Sequence, residues 1–513
     1  MSWNEGYVVD SGYTYGSFAE LNPLRADLAL NLLGYAGLPE GPCCELGFGQ
    51  GMSINLNSAA NPQRIWWGTD FNPEQVCFAK SLAQASGSGL QLFDQSFAEF
   101  CGREDLPQFA FIALHGVWSW TSDANRAVIV DFIRRKLMVG GVVYVSYNTL
   151  PAWANMLPIR ELFIQHAALM SPPNASSGQK MHAALDFAEK WLAANPFYAK
   201  VHPGIGKRLE YLRKQPTAYL AHEYLNADWK CMPFADMAQC LAPAKLTYAG
   251  SAQLIEQIEG FNLTPEQRTF LATVPPGVFR ETTKELLMNQ QFRRDLWVKG
   301  SPRLKITEQM QLLRAHRFVM SAAREHMPKE MSCNLGKAAL QEEIYKPLYD
   351  LFDQYQQAPL SFGQIIDALQ SQGQSQAAIV QSVAVLVTLG GLSVVQSEEA
   401  TKAALPAAQR LNHYLIERAA HRPEVSQLAS PVTGTAVGVQ QLMQLFLLAR
   451  QQGQATPAQW ATFAQKTLMR LGQKILKGDK PVEDTAEQLM VLKEHAKKFE
   501  ADQLKTLLRL KVV

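Results

Sequence analysis

Residues 43–51 read Cys43-Cys44-Glu45-Leu46-Gly47-Phe48-Gly49-Gln50-Gly51, an acid followed by three glycines at alternate positions. A side chain at any of these glycines would stand between the backbone and whatever lies against it. The spacing therefore predicts a ligand packed directly on the loop.

The flanking segments follow a strand, helix, strand rhythm. Residues 42–46 are a short apolar strand, 52–60 a helix, and 64–70 a second strand ending at Asp70. A helix over 73–86 leads to a third strand, 89–93, ending at Asp94; 109–114 is a fourth strand, 123–137 a helix and 140–147 a fifth strand. Such alternation implies a parallel sheet covered on both faces, with its ligand at the carboxyl ends of the strands. Upstream, Leu24, Leu28, Leu32 and Leu33 give 19–36 a helical spacing, and Tyr7, Tyr13 and Tyr15 belong either to an arm packed on the surface or to a lid over the loop.

After Asn148 the rhythm stops. Residues 152–223 are helical in pattern, broken at Pro172-Pro173, Pro196 and Pro203-Gly204. Residues 245–249 and 292–298 are again extended and are expected to rejoin the first sheet, which makes about 152–240 a helical insertion in a domain spanning 1–302. In 303–400, helices over 344–356, 361–369 and 375–388, with Ser361 and Ser375 as N-caps, precede a strand at 392–395. That order suggests a winged-helix-like middle domain. Residues 397–407 read as a linker, and the C-terminal domain, 401–513, as mainly α-helical apart from a turn at 431–438.

Composition narrows the partners. The 513 residues are 47% hydrophobic and 18% charged, which fits a folded chain of several domains. With 48 Lys and Arg against 46 Asp and Glu, no charge excess steers the chain toward nucleic acid or an anionic membrane. No dense Lys/Arg stripe marks the third helix of the winged unit either, so DNA is not an expected partner. No apolar run reaches the ~18 residues of a membrane span, and the first residues lack the basic and apolar regions of a signal peptide. Seven cysteines in no metal-like spacing fit reduced thiols, hence a cytoplasmic setting and no metal site.

The ligand's chemistry follows from what surrounds the glycines. A dinucleotide fingerprint needs its third glycine three positions after the second, where this chain has Met52. Glu45 would repel a pyrophosphate and attract an ammonium, which points to S-adenosylmethionine. Asp70 can accept from ribose hydroxyls, and Asp94 is placed to accept from the adenine amine.

Glu45 to Gly51, Asp70 and Asp94 resemble the first three motifs of the class I S-adenosylmethionine-dependent methyltransferases, over about the first 150 residues. Residues 114–120 (Leu-His-Gly-Val-Trp-Ser-Trp), 218–225 (Ala-Tyr-Leu-Ala-His-Glu-Tyr-Leu) and 428–434 (Leu-Ala-Ser-Pro-Val-Thr-Gly) extend the resemblance to bacterial methyltransferases carrying a methyltransferase regulatory domain. Among these are the rickettsial-type protein lysine methyltransferases that modify an outer membrane protein. The resemblance implies a Rossmann-like catalytic sheet and transfer of a methyl group to lysine side chains of a protein, in that family an outer membrane or surface protein before export. It also implies cofactor contacts at Tyr15, Glu45, Gly47, Phe48, Gly49, Gly51, Asp70, Phe71, Asp94, Gln95, Ser96 and His115. Two other readings are a methyl acceptor that is a small molecule or glycan, and a non-catalytic sensor of the cofactor.

A lysine acceptor, with an ordinary pKa of about 10.4, must lose a proton before it attacks. An apolar aromatic channel promotes that loss by desolvating the ammonium. His115, Trp118 and Trp120 after the fourth strand, and Tyr147 and Asn148 after the fifth, are the expected acceptor side, with His115, Trp118 and Tyr147 the candidate catalytic residues. Each has a plain alternative as a packed core residue. His222-Glu223 lacks the second histidine of a His-Glu-x-x-His zinc site, position 226 being Asn226, so it reads as structural or as part of a substrate-facing wall.

Overall fold

In a computed structural model, residues 4–10, 14–478 and 480–513 are described; Tyr13 lies outside them. The N-terminal part is built on seven strands, β1 (Cys43–Leu46), β2 (Trp66–Asp70), β3 (Gln91–Asp94), β4 (Phe109–Leu114), β5 (Leu137–Asn148), β6 (Thr247–Ser251) and β7 (Phe292–Val298). Their order is β3-β2-β1-β4-β5-β7-β6. The first five run parallel, and β7 is antiparallel to both β5 and β6. The extended segments beyond the insertion thus do rejoin the sheet. β4 is apolar and buried throughout, as a central strand covered on both faces must be. The order reverses between β1 and β4, so the loops leaving these strands diverge and open a crevice at their carboxyl ends.

Helices α1 (Pro23–Leu32), α2 (Met52–Ala60), α3 (Pro73–Ser86), α4 (Phe97–Cys101) and α5 (Asp123–Lys136) flank the strands. The local chemistry that starts them is plain in α3: Asn72 accepts from the Glu74 amide, Pro73 opens the first turn, and Gly87 closes the last in a left-handed conformation. The insertion folds around its own core of Trp153, Phe163, Leu185, Leu209, Leu220 and Tyr224.

The middle region has the three expected helices, Glu342–Gln354, Phe362–Gln370 and Gln376–Thr388, the last two capped by Ser361 and Ser375. The strand at Leu392–Val395 does not stand alone. It pairs with Arg317–Met320, which pairs with Leu360–Ser361 on its other side, and a hairpin joins Glu330–Cys333 to Gly336–Ala339.

The linker expected at 397–407 is instead the start of one long helix, Glu398–Ala419, capped by Ser397 and carrying Pro406 inside it. Its first half is rich in alanine, the best intrinsic helix former, and buries Ala400, Ala404 and Ala408. Proline and the lack of large apolar spacing disguise the helix, and a boundary at residue 400 falls within it. This helix packs behind the glycine loop, on α2 and α3: Arg410 donates to the Ser86 carbonyl at 2.9 and 2.6 Å. Just before it, Gln396 donates to the Ala60 carbonyl at 2.8 Å. Beyond it the chain is helical apart from a hairpin, Gln427–Ser430 with Thr435–Gly438, and a short pairing of Leu476–Lys477 with Lys480–Pro481. No helix among the described residues is long and apolar enough to cross a membrane.

Candidate active site

The loop after β1 carries Gly47, Gly49 and Gly51 at φ of 72°, 58° and 70°. Two of these glycines do different work. A Cβ on Gly51 would lie 2.5 Å from the Ala79 Cβ, so this residue lets α2 and α3 close together. A Cβ on Gly49 would meet only the Gln75 side chain at 3.9 Å, so this residue faces open space.

That space is a cavity at the carboxyl ends of the strands. Glu45, Gly47, Phe48, Gly49, Asp70, Phe71, Gln95, Ser96 and His115 all border it. The Asp70 carboxylate accepts from the Gly49 amide at 2.8 Å and the Asn72 amide at 3.0 Å. It ties the loop to β2 and, with about four acceptor positions on a carboxylate, keeps capacity for a ligand. Burial raises Asp70 to about 6, and burial reinforced by the Asp70 charge raises Glu45 to about 8. Glu45 Oε2, Gln95 Oε1 and Trp120 Nε1 are buried polar atoms of the lining with no hydrogen-bond partner among the described residues. Such groups are what a ligand would satisfy.

In the same lining, His115 stacks on Phe18 with ring centroids 3.6 Å apart, and its Nδ1 is 2.7 Å from the Tyr144 hydroxyl. Burial lowers the imidazole to about 4, so it is neutral near pH 7. The N-terminal arm borders the cavity through Asn4, Glu5, Tyr7, Thr14, Gly16 and Phe18. It is fastened by the Phe18 amide on Ser53 Oγ at 3.0 Å and by Asn125 on Glu5 at 3.2 Å.

Several expected residues lie elsewhere. Trp118 is buried in the core and donates to the Met232 sulfur at 3.1 Å, while Trp120, at the other end of the same 3-10 turn, borders the cavity. Tyr147 is buried on the far face of β5 with its hydroxyl on Asp295 at 2.7 Å; the tyrosine that reaches His115 is Tyr144. Strand alternation carries this signal, since Tyr144 and Ser146 share one face and Val143, Val145 and Tyr147 the other. Ser146 in turn accepts from the Gly116 amide at 2.8 Å. Asp94 is exposed and outside the lining. The Thr69 hydroxyl donates to the Gln95 carbonyl at 2.5 Å and turns the chain, so that Gln95, Ser96 and Phe97 border the cavity instead. Tyr15 packs edge-on against Phe78, 5.2 Å between centroids, and only its neighbours Thr14 and Gly16 border the cavity. Phe18 had no sequence signal, because only the tertiary course of the arm brings it to His115.

His222 is buried, with its ring 5.7 Å from that of Tyr7, and its carbonyl accepts from Asn226, a lining residue, at 2.6 Å. The pair supports the wall of the cavity. No group of three or more His, Cys, Asp or Glu among the described residues is arranged to hold a metal.

Tyr147→Phe is expected to destabilise the fold by about 1–2 kcal/mol, through loss of the hydroxyl donor to buried Asp295, without altering ligand affinity in the cavity. Thermal melts together with calorimetric titration check this; a loss of affinity equal to that of a lining variant would refute the placement.

The predicted methyltransferase regulatory domain matches residues 216–299. An uncharacterized protein of Synechocystis, sll1526, is 37% identical over 99% of this chain and 99% of its own. RP789 of Rickettsia prowazekii is 23% identical over 63% of this chain and 58% of its own. Among solved structures, PKMT2 from Rickettsia typhi in complex with AdoHcy superimposes with a TM-score of 0.68 over 98% of this chain and 99% of that one, at 17% identity. The matched domain contains β6 and β7. Two strands of the cavity-bearing sheet thus come from the regulatory domain, and the chain belongs to the class I methyltransferases that carry this domain.

Proposed function

We propose that the chain transfers a methyl group from S-adenosylmethionine to lysine side chains of a protein substrate. The observation that carries this reading is a single cavity whose lining holds two chemically distinct groups. One is a set of buried acids beside an open glycine, the other a neutral histidine stacked on an aromatic ring. The resemblance to protein lysine methyltransferases and the fold shared with PKMT2 support it.

The acidic part of the lining fits the cofactor residue by residue. The unpartnered Glu45 carboxylate oxygen suits the ammonium of its amino-acid end, the remaining acceptor positions of Asp70 suit the ribose diol, and Gln95 Oε1 suits the adenine amine. Gly49 leaves room for the ligand against the backbone. When bound, S-adenosylmethionine supplies an electrophilic methyl group on a sulfonium. The protein's task is alignment and exclusion of water.

Phe18, Trp120 and the His115 ring present aromatic surface to an entering lysine stem and desolvate its ammonium, which lowers its pKa. His115, held by Tyr144, is a neutral ring that orients the amine once desolvation has driven its proton off to water. His115→Phe keeps the stack on Phe18 and loses the Tyr144 bond, so turnover is expected to fall by about 100-fold with cofactor affinity within about threefold. Initial rates and calorimetry check it; unchanged turnover removes His115 from the mechanism.

Purified chain incubated with methyl-labelled S-adenosylmethionine and bacterial lysate is expected to label protein, and acid hydrolysis to release the label as methylated lysine. Label confined to small molecules would overturn the protein substrate.

A further inference from the structure

The C-terminal region has a groove that the cavity chemistry does not use. It lies between the end of the helix Glu398–Ala419 and the helices Gln441–Gln451 and Pro457–Arg470, with a volume of about 940 Å³. Arg418, Arg422, Lys466 and Arg470 line it, and the one carboxylate of the lining, Glu417, is engaged by His413 at 3.4 Å. The whole chain is nearly balanced, with 48 basic and 46 acidic residues, so this cluster is a local arrangement and not a result of composition. Among the described residues Arg418, Lys466 and Arg470 form no ion pair, and Arg422 reaches only Glu424 at 3.9 Å. Arg418 Nε is buried without a hydrogen-bond partner there. Tyr414 and Phe463 give the groove an apolar side.

The groove abuts the methyl-transfer cavity. The Arg418 guanidinium lies 4.8 Å over the Phe78 ring, and Phe78 meets Tyr15 edge-on at 5.2 Å. The residues on either side of Tyr15, Thr14 and Gly16, border the cavity. Tyr15 against Phe78 therefore stands between the basic groove and the cavity lining.

We propose that this groove docks an acidic segment of the protein substrate, whose carboxylates pair with Arg418, Arg422, Lys466 and Arg470. The inference rests on the protein-lysine reading above. Four cations in one short groove with an aromatic side suit a peptide. A nucleic acid of useful affinity neutralises ~6–10 phosphates along an extended track. Charge matching of this kind acts on capture of the substrate and on its selection.

The test uses the full-length chain and fluorescence anisotropy with a fluorescein-labelled Glu-rich peptide carrying one lysine. The same peptide with Gln for Glu, and an oligothymidylate of equal formal charge, are the comparisons. The acidic peptide is expected to bind at least about tenfold more tightly than its Gln version, and less tightly as salt is raised. Combined Lys466→Glu and Arg470→Glu, both at exposed positions, are expected to raise its Kd about tenfold with affinity for S-adenosylhomocysteine within about twofold. Should that variant fail to fold, exposed Arg422→Glu is expected to weaken binding about threefold. Equal binding of the two peptides, insensitivity to the charge reversals, or tighter binding of the oligothymidylate would overturn the proposal. The anisotropy decides the groove, and labelling of lysate protein decides the lysine reading, so the two can fail separately.

Discussion

Gly49→Arg is expected to weaken S-adenosylhomocysteine binding by at least about a hundredfold, with the thermal midpoint within a few degrees of wild type. A Cβ at this position would meet only Gln75 at 3.9 Å, so an arginine side chain has nowhere to go but into the cavity. The left-handed backbone at φ 58° adds a penalty of about 1–2 kcal/mol, which a chain of this size can absorb. The same substitution at Gly51 is expected to behave otherwise. There the Cβ would sit 2.5 Å from Ala79, α2 and α3 would be pushed apart, and stability would fall with affinity. Titration calorimetry and thermal melts on both variants separate a blocked site from a damaged fold; equal behaviour of the two would contradict the division of roles.

Glu45→Gln is expected to stabilise the ligand-free chain at high pH while it weakens the cofactor complex. Burial raises this carboxyl from 4.5 to about 8, so between those values the folded chain holds a proton that the unfolded chain has released. Folding stability attributable to Glu45 is therefore fully present below about pH 4.5 and is lost as pH rises through about 8. At 1.36 kcal/mol per unit, the ceiling on this effect is about 5 kcal/mol. The glutamine variant is expected to melt ~2–5 °C higher than wild type at about pH 9 and to converge on it near pH 5. Its affinity for S-adenosylhomocysteine should drop about 30-fold, because an ammonium would then face a neutral amide. Melts across pH with and without ligand check both halves. A glutamine variant that is less stable at high pH would show that Glu45 is held in its charged form by a partner.

Much of the sheet is readable from residue order. Met52–Ala60, Pro73–Ser86 and Phe109–Leu114 have ends where the apolar spacing and the punctuating glycines and prolines put them. The return of β6 and β7 follows from two extended runs in an otherwise helical stretch. Which side chains face the cavity is harder, because it depends on the turn geometry after each strand. Trp118 and Trp120 differ only by their place in one 3-10 turn, and Tyr144 and Tyr147 only by strand parity. Parity was available in the sequence; the sense of the 3-10 turn was not. Asp94 and Tyr15 stand beside lining residues, and the chain's local course, set by Thr69 and Phe78, decides against their side chains. The long helix from Glu398 hid behind Pro406 and small residues, since its stability comes from close packing on α2 and α3 and not from a large apolar stripe.

We place the cofactor for methyl transfer in the cavity at the ends of β1, β2 and β4. Titration calorimetry of the wild-type chain with S-adenosylhomocysteine tests it most directly. Saturable binding at one site per chain, lost on Asp70→Ala, is the predicted result. No detectable binding by the wild type, or full affinity retained by Asp70→Ala, would contradict it.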